Sequence, residues 1–329
     1  MIHVVFSSDD RYAPQMGVAM TSILLNSRKS DELSFHVLSD SISSESTRRL
    51  LLLRDIRDFE LQIVDISGDI RKAIGRINTI SADTRITEAA YYRLLVGSIF
   101  PDLEKVLYLD CDLVVLGSLQ EIWETDLSDH TLAAAEEIMD PPLHRDSFLR
   151  TSRYFNSGVM LFNLLRWRGL GYEAKCLAVP DGLLGRIEHH DQSILNYLFR
   201  EGDVRYLGAQ FNYMISFKEQ FAPSLNPMLK GVQPRIVHYA GAKPWHLDAW
   251  LDRRTDLNSF EHYWKYWELG PWSDMSPIES FRKSDVCRYL YRHPKDIPTA
   301  KKRMQELKHH QAFLESMSTP VFASKRETG

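Results

Sequence analysis

At 329 residues the chain is long enough to bury a substantial core and carry a smaller lobe. Hydrophobic residues make up 44% and charged residues 26%, which excludes a disordered chain and fits a globular enzyme. A formal net charge of -4 gives no basis for a nucleic-acid partner, and Cys111, Cys176 and Cys287, without short metal-site spacing, fit a reducing compartment better than a disulfide scaffold.

Met1 leads directly into an apolar strand, Ile2 to Phe6, with no long apolar span or signal-type segment, so a cytoplasmic, non-spanning protein is expected. A helix follows over Gln15 to Leu25, then a strand over Leu33 to Leu38, a helix over Ser44 to Arg54 and a strand over Leu61 to Val64. Glu88 to Val96 reads as helix, Val106 to Leu109 as a buried strand and Thr131 to Ala135 as another strand. This alternation predicts an α/β fold, an open and mostly parallel sheet with helices on its faces. No G-x-G-x-x-G or Walker sequence is present, which argues against dinucleotide redox and P-loop chemistry.

The apolar run at Val106 ends abruptly in Asp110-Cys111-Asp112. In extended backbone residues i and i+2 point to one side, so both carboxylates can converge on one hard cation at the carboxyl end of a strand, where α/β sheets collect ligands. The same residues also read as a strand end followed by a solvated aspartate turn. Downstream, Arg153-Tyr154-Phe155-Asn156-Ser157-Gly158 reads as a polar turn entering the apolar strand Val159 to Phe162, with Asn156 able to donate and accept and Gly158 permitting close approach. An ordinary turn into a core strand is the competing reading. His189-His190-Asp191-Gln192 precedes a helix from Ser193 to Phe199, which Asp191 can cap while facing a sugar. In Ile236 to His246, His238 can ligate a transition ion, Gly241 permits a tight turn, Lys243 can offset phosphate charge and Trp245 can anchor the loop. Packing and solvation account equally well for that cluster taken alone.

Together these segments resemble glycosyltransferase family 8, especially the bacterial lipopolysaccharide galactosyltransferases and glucosyltransferases, over residues 1 to 250. The resemblance implies a nucleotide-sugar-binding sheet and retaining transfer of a hexose from UDP-galactose or UDP-glucose to a saccharide hydroxyl of a lipopolysaccharide-core acceptor, which a lipid can carry. It implies Asp110, Asp112 and His238 as metal ligands, with Mn²⁺ ahead of Mg²⁺ because an imidazole joins the carboxylates. It also implies Ser7, Asp9 and Asp10 at the nucleoside, Arg93 as a basic donor-site residue, and Asn156, Asp191 and Gln192 around the donor sugar. Gly241 and Lys243 fall at the diphosphate. One departure stands out, since His238 and Lys243 are five residues apart where the family more often has six. Same-face transfer, with the metal and Lys243 stabilising departing UDP, is preferred over a double displacement through Asp191 or Gln192. A catalytically silent UDP-sugar-binding module is the alternative function.

Glu136, Glu137 and the Asp140-Pro141-Pro142 segment are candidates for an acceptor loop. Residues 251 to 329 read as an appendage that positions the acceptor or attaches peripherally to a membrane. Trp245, Trp250, Trp264, Trp267 and Trp272 read as core, carbohydrate platform or membrane-facing rim. Lys301, Lys302, Arg303, Met304, Leu307, Lys308 and Leu314 suggest an amphipathic helix suited either to solvent or to anionic lipid.

Overall fold

In the computed structural model, residues 1–66, 68, 71–72, 74–75, 77, 88–137, 153–184, 189–215, 229–252, 254–255, 257–275, 283–303 and 305 are described. Ten strands are found among them: β1 Ile2–Ser7, β2 Leu33–Ser39, β3 Glu60–Asp65, β4 Lys105–Leu109, β5 Leu113–Val115, β6 Leu132–Glu136, β7 Phe155–Asn163, β8 Val204–Leu207, β9 Tyr213–Met214 and β10 Ile236–His238. Seven form one sheet in the order β3-β2-β1-β4-β7-β6-β8, and β5-β10-β9 form a second, small sheet. In the large sheet β1–β2, β2–β3, β1–β4 and β6–β8 are parallel, whereas β7 runs antiparallel to β4 and β6. The fold is therefore α/β with a mostly parallel sheet, as the strand–helix alternation predicts.

Alternation along each strand sends side chains to two cores. Val4 and Phe6 of β1 join the helix Ala13–Asn26 and the small sheet on one face, while Val5 packs with Tyr91, Tyr108, Phe162 and Trp167 on the other. Both faces are covered, so β2 is buried along its whole length, and the outermost β3 alternates in exposure. The helix Ala13–Asn26 is buried from Gln15 to Leu24 because the sheet and the aromatic segment enclose it. Its buried hydroxyls turn back on the backbone, Thr21 donating to Gly17 O at 2.7 Å and Ser22 to Ala19 O at 2.6 Å.

Strand order reverses between β1 and β4. Their parallel carboxyl ends lie side by side, Cys111 Sγ donating to Ser7 O at 3.4 Å, which is the switch point where open α/β sheets leave a crevice.

Three local readings change. The Glu88 to Val96 segment is not one helix but two short helices, Ala89–Tyr92 and Val96–Ile99, joined by a 3-10 turn at Arg93–Leu95. The Asn156-Ser157-Gly158 segment lies inside β7 rather than in a turn before it, because the ladder with β4 continues past Val159 through Asp110 N–H to Gly158 O at 2.8 Å. The helix at Asp191 begins earlier, at His190, so Asp191 sits in its first turn and the N-cap residue His189 makes no side-chain cap.

Trp245, Trp250, Trp267 and Trp272 are buried in the core shared with the helix Ala13–Asn26, and Trp264 packs against it. These tryptophans are core residues rather than a platform or rim. Phe260, Tyr263 and Tyr266 of the segment after residue 250 belong to that same core. Among the described residues no helix is long and apolar enough to cross a membrane. The Asp140-Pro141-Pro142 segment, and Met304, Leu307, Lys308 and Leu314, lie outside the described residues.

Candidate active site

Asp110 and Asp112 occupy the short link between β4 and β5, where the chain leaves the large sheet for the small one. β10 pairs antiparallel with β5, His238 opposite Leu113, and Tyr239 N–H donates to Asp112 O at 2.9 Å. That pairing carries His238 across 126 residues of chain to place Nε2 3.1 Å from Asp112 Oδ1 and 3.7 Å from Asp110 Oδ2. One ligand atom from each of the three residues lies within 4.8 Å of the others. Two carboxylate oxygens and an imidazole nitrogen suit a divalent first-row metal.

Gly158 makes the convergence sterically possible. A Cβ there would meet His238 Cε1, and would lie 2.7 Å from Asp110 Oδ2. The glycine is required by close approach, not by an unusual backbone angle.

Charge compensation is dense. Lys243 Nζ donates to Asp112 Oδ2. Burial would raise the Asp112 pKa, but the Lys243 ammonium holds it well below the usual carboxylate range. The five-residue spacing therefore still delivers Lys243 to the Asp110, Asp112 and His238 cluster. Gly241 lies on the cavity wall beside it.

Arg93 is buried at 5% exposure and sits between two carboxylates. Its Nη2 lies 2.8 Å from Asp110 Oδ1 and its Nε 3.3 Å from Asp191 Oδ2, while Nη1 donates to Ser157 O at 2.8 Å. Burial opposes its charge, but Asp110 and Asp191 more than offset that and keep it protonated. The guanidinium also lies over the Tyr108 ring, 4.3 Å from its centre. Asp191 Oδ2 accepts from Ser157 Oγ at 3.0 Å, and Gln192 Oε1 accepts from Ser157 N–H at 3.0 Å. Burial pushes the Asp191 pKa up to about 6, with Arg93 opposing. The preceding residue, His190, has φ 49°, the left-handed region that costs a side chain about 1–2 kcal/mol, and lies within 3.2 Å of Tyr91 Oη through Nδ1. Strain at this point in the chain coincides with the turn that aims Asp191 at Arg93.

These groups open onto one cavity of about 490 Å³, a size suited to a small organic ligand. Ser7, Asp9, Arg93, Asp110, Asp112, Asn156, Asp191, Gln192, His238 and Gly241 all line it. Lys243 and Asp10 do not. The Asp10 carboxylate accepts from Ser43 N–H at 2.9 Å, the residue that caps the helix Ser44–Leu51, and hydrogen bonds from Ser43 and Ser46 outweigh burial to lower its pKa. Asp9 lines the cavity and also caps its own 3-10 turn by accepting from Tyr12 N–H at 3.1 Å. Of the two acceptor candidates, Glu137 lines the cavity and accepts from Gln192 Nε2, whereas Glu136 pairs with Arg153 at 2.7 Å. Burial raises the Glu137 pKa, with His189 opposing.

The sequence reading passed over three contributors. Ser157 lies within the quoted Phe-Asn-Ser-Gly motif, but its bonds to Asp191, Gln192 and Arg93 cross between elements. Ser8 lines the cavity next to Asp9. Asn212, 1% exposed, accepts from His238 and donates to Asn156, and its only sequence signal is a lone amide between Phe211 and Tyr213.

A family model described as Glycosyl transferase family 8 matches residues 3–249. The chain is 30% identical to the lipopolysaccharide 1,3-galactosyltransferase of Salmonella typhimurium, over 88% of this chain and 85% of that protein. It is 24% identical to a lipopolysaccharide 1,2-glucosyltransferase of Escherichia coli, over 85% of this chain and 81% of that protein. Among solved structures, the galactosyltransferase LgtC in complex with donor and acceptor sugar analogues superposes with a TM-score of 0.66 at 26% identity, covering 86% of this chain and 98% of that one.

Proposed function

The protein belongs to glycosyl transferase family 8, and from that premise we propose that it transfers a hexose from UDP-galactose or UDP-glucose, with retention, to a saccharide hydroxyl of a lipopolysaccharide core. The observation that carries this reading is the convergence of Asp110, Asp112 and His238 on a cavity that Asp191 and Gln192 also line, with Lys243 paired to Asp112. The printed names of the Salmonella and Escherichia relatives support a hexose and a lipopolysaccharide acceptor.

The donor set fits a divalent cation, Mn²⁺ ahead of Mg²⁺, which when bound supplies positive charge to the donor diphosphate. Lys243 adds an ammonium at the same place and stabilises the charge that grows on UDP as the glycosidic bond lengthens. Gly241, on the wall beside it, lets backbone approach the phosphates. Ser7 and Asp9, at the end of β1, face the nucleoside, with Asp10 bracing that loop against Ser43. Arg93 holds Asp110 and Asp191 in place. Asp191 and Gln192, both tied to Ser157, orient the sugar hydroxyls, with Asn156 and Glu137 beside them. An Asp191 carboxylate engaged by Arg93 and Ser157 supports orientation over nucleophilic attack, and so favours the same-face route.

Residues 251–329 are proposed to position the acceptor and to give peripheral contact with the membrane that carries it. Exposed Arg288, Tyr291, Arg292, Lys301 and Lys302 support that contact. The test of the function is transfer of labelled sugar from UDP-galactose and UDP-glucose, with Mn²⁺, to a panel of truncated core saccharides. An α-configured product from an α-configured donor is expected. UDP-sugar binding without transfer to any acceptor would replace the reading with that of a silent binding module.

A further inference from the structure

We propose that Asn212 is a positioning residue for metal binding: it fixes the proton of the His238 ring on Nδ1, so that the Nε2 lone pair faces Asp110 and Asp112. The proposal rests on the reading of Asp110, Asp112 and His238 as metal ligands.

One donor in this chain of hydrogen bonds has a fixed identity. Gly158 N–H, a backbone amide, lies 2.9 Å from Asn156 Oδ1, so that atom of Asn156 is the oxygen. Asn212 Nδ2 donates to the same oxygen at 2.8 Å. The Asn212 amide is thereby oriented, and its Oδ1 is the atom 2.8 Å from His238 Nδ1. An amide oxygen only accepts, so Nδ1 must carry the hydrogen. In the neutral ring Nε2 is then unprotonated, 3.1 Å from Asp112 Oδ1 and 3.7 Å from Asp110 Oδ2.

A lone pair aimed at two carboxylates has no hydrogen to share with them. A cation between the three groups satisfies them all. The opposite tautomer would donate Nε2–H to Asp112 and leave no nitrogen ligand. Asn212 therefore selects the ring form that a metal needs, the role that outer partners of ligating histidines commonly serve.

The supports of Asn212 are rigid. It is 1% exposed and closes the 3-10 turn Ala209–Asn212. β9 follows at once and pairs with β10, Met214 opposite His238, while Arg235 N–H donates to Gln210 O at 2.7 Å on the other side. Asn156 sits in β7 two residues before Gly158, whose carbonyl holds Asp110 N–H. One strand thus sets the position of Asp110 and, through Asn156 and Asn212, the protonation of His238.

The test compares Asn212→Leu, which removes the acceptor, with Asn212→Asp, which keeps an oxygen toward Nδ1. Two readouts are used. Nitrogen shifts of the His238 ring in metal-free protein, in alkaline buffer where an imidazole is neutral, report the tautomer directly. Titration with Mn²⁺, with and without UDP, followed by electron paramagnetic resonance of the free ion, reports affinity. Wild type and Asn212→Asp are expected to carry the hydrogen on Nδ1, and Asn212→Leu on Nε2. The Mn²⁺ Kd is expected to rise ~10- to 100-fold in Asn212→Leu and to stay within several-fold of wild type in Asn212→Asp. A wild-type ring protonated on Nε2, or a folded Asn212→Leu protein with wild-type Mn²⁺ affinity, would overturn the proposal. Should Asn212→Leu fail to fold, the wild-type ring shifts and the Asn212→Asp affinity decide it. Asp112→Asn separates the two readings, because it should abolish Mn²⁺ binding while leaving the hydrogen on Nδ1. If wild type binds no Mn²⁺, the metal-site reading fails whatever the tautomer.

Discussion

Replacing Gly158 with alanine adds one methyl group to β7, yet it should damage the metal site more than the fold. The new carbon would lie 2.7 Å from Asp110 Oδ2 and 2.9 Å from His238 Nδ1, with His238 Cε1 closer still. Real contacts of this kind stay at or above 3.0 Å, so Asp110 Oδ2 must retreat by at least about 0.3 Å, more than the ~0.2 Å within which metal–ligand distances hold. Neither ligand has room to give. Asp110 is held by Arg93 at 2.8 Å and Tyr108 at 3.1 Å, and His238 is held by Asn212 at 2.8 Å. Overpacking of this size costs about 1–3 kcal/mol of stability, which a protein of 329 residues should survive. Displacing two ligands at once should raise the Mn²⁺ Kd by at least ~10-fold. Isothermal titration with Mn²⁺, paired with thermal melting, measures both. A Gly158→Ala protein that melts a few degrees lower but binds Mn²⁺ and transfers sugar like wild type would refute the close-packed site.

Lys243→Ala should leave Mn²⁺ affinity within a few-fold while lowering the transfer rate at least ~10-fold, since it removes charge that stabilises departing UDP; unchanged kcat would move that task to other groups. With its pKa pushed up to about 6, Asp191 is protonated more readily in the folded protein than in the unfolded chain. Its contribution to stability is therefore fully present below about pH 4 and is lost as pH rises through 6. Under the proposed role of ionised Asp191 in orienting the sugar, kcat/KM should climb through a limb near pH 6, and Arg93→Gln should move that limb upward by removing the opposing charge; a limb that stays put would exclude Asp191 as its source. Trp272→Ala should destabilise the whole protein by about 3–5 kcal/mol, because Trp272 is 5% exposed and packs against Gly17 in the main core; urea melts with an unchanged midpoint would show that the segment after residue 250 is not part of that core.

What could be read from sequence was local. The strands and helices from Ile2 to Val64 are legible because each alternation or apolar run is complete within a few residues, and Asp110 and Asp112 stand out because two carboxylates end such a run. The direction of β7 was not legible, since antiparallel pairing with β4 depends on how the chain returns to the sheet. The Asn156-Ser157-Gly158 segment reads as a turn from its polar residues, yet it continues the strand because Asp110, Asn212, Asp191 and Gln192 supply its polar partners. Asp191 reads as a cap and instead faces Arg93, a buried cation that outcompetes local backbone. Asp10 resembles a nucleoside residue by position, but the nearby end of the helix Ser44–Leu51 claims its carboxylate. Asn212 left almost no local trace, because everything it touches lies on other strands.

The most direct test of metal-dependent transfer is the Asp112→Asn protein assayed beside wild type at saturating Mn²⁺, for UDP-sugar binding and for transfer, with melting as the control for folding. Asparagine keeps the size of the side chain but removes the anion that Lys243 and His238 both face. Transfer should fall at least ~100-fold, with donor binding also weakened, while the protein remains folded. Near-normal transfer by folded Asp112→Asn protein would contradict the assignment of this cluster as the catalytic centre.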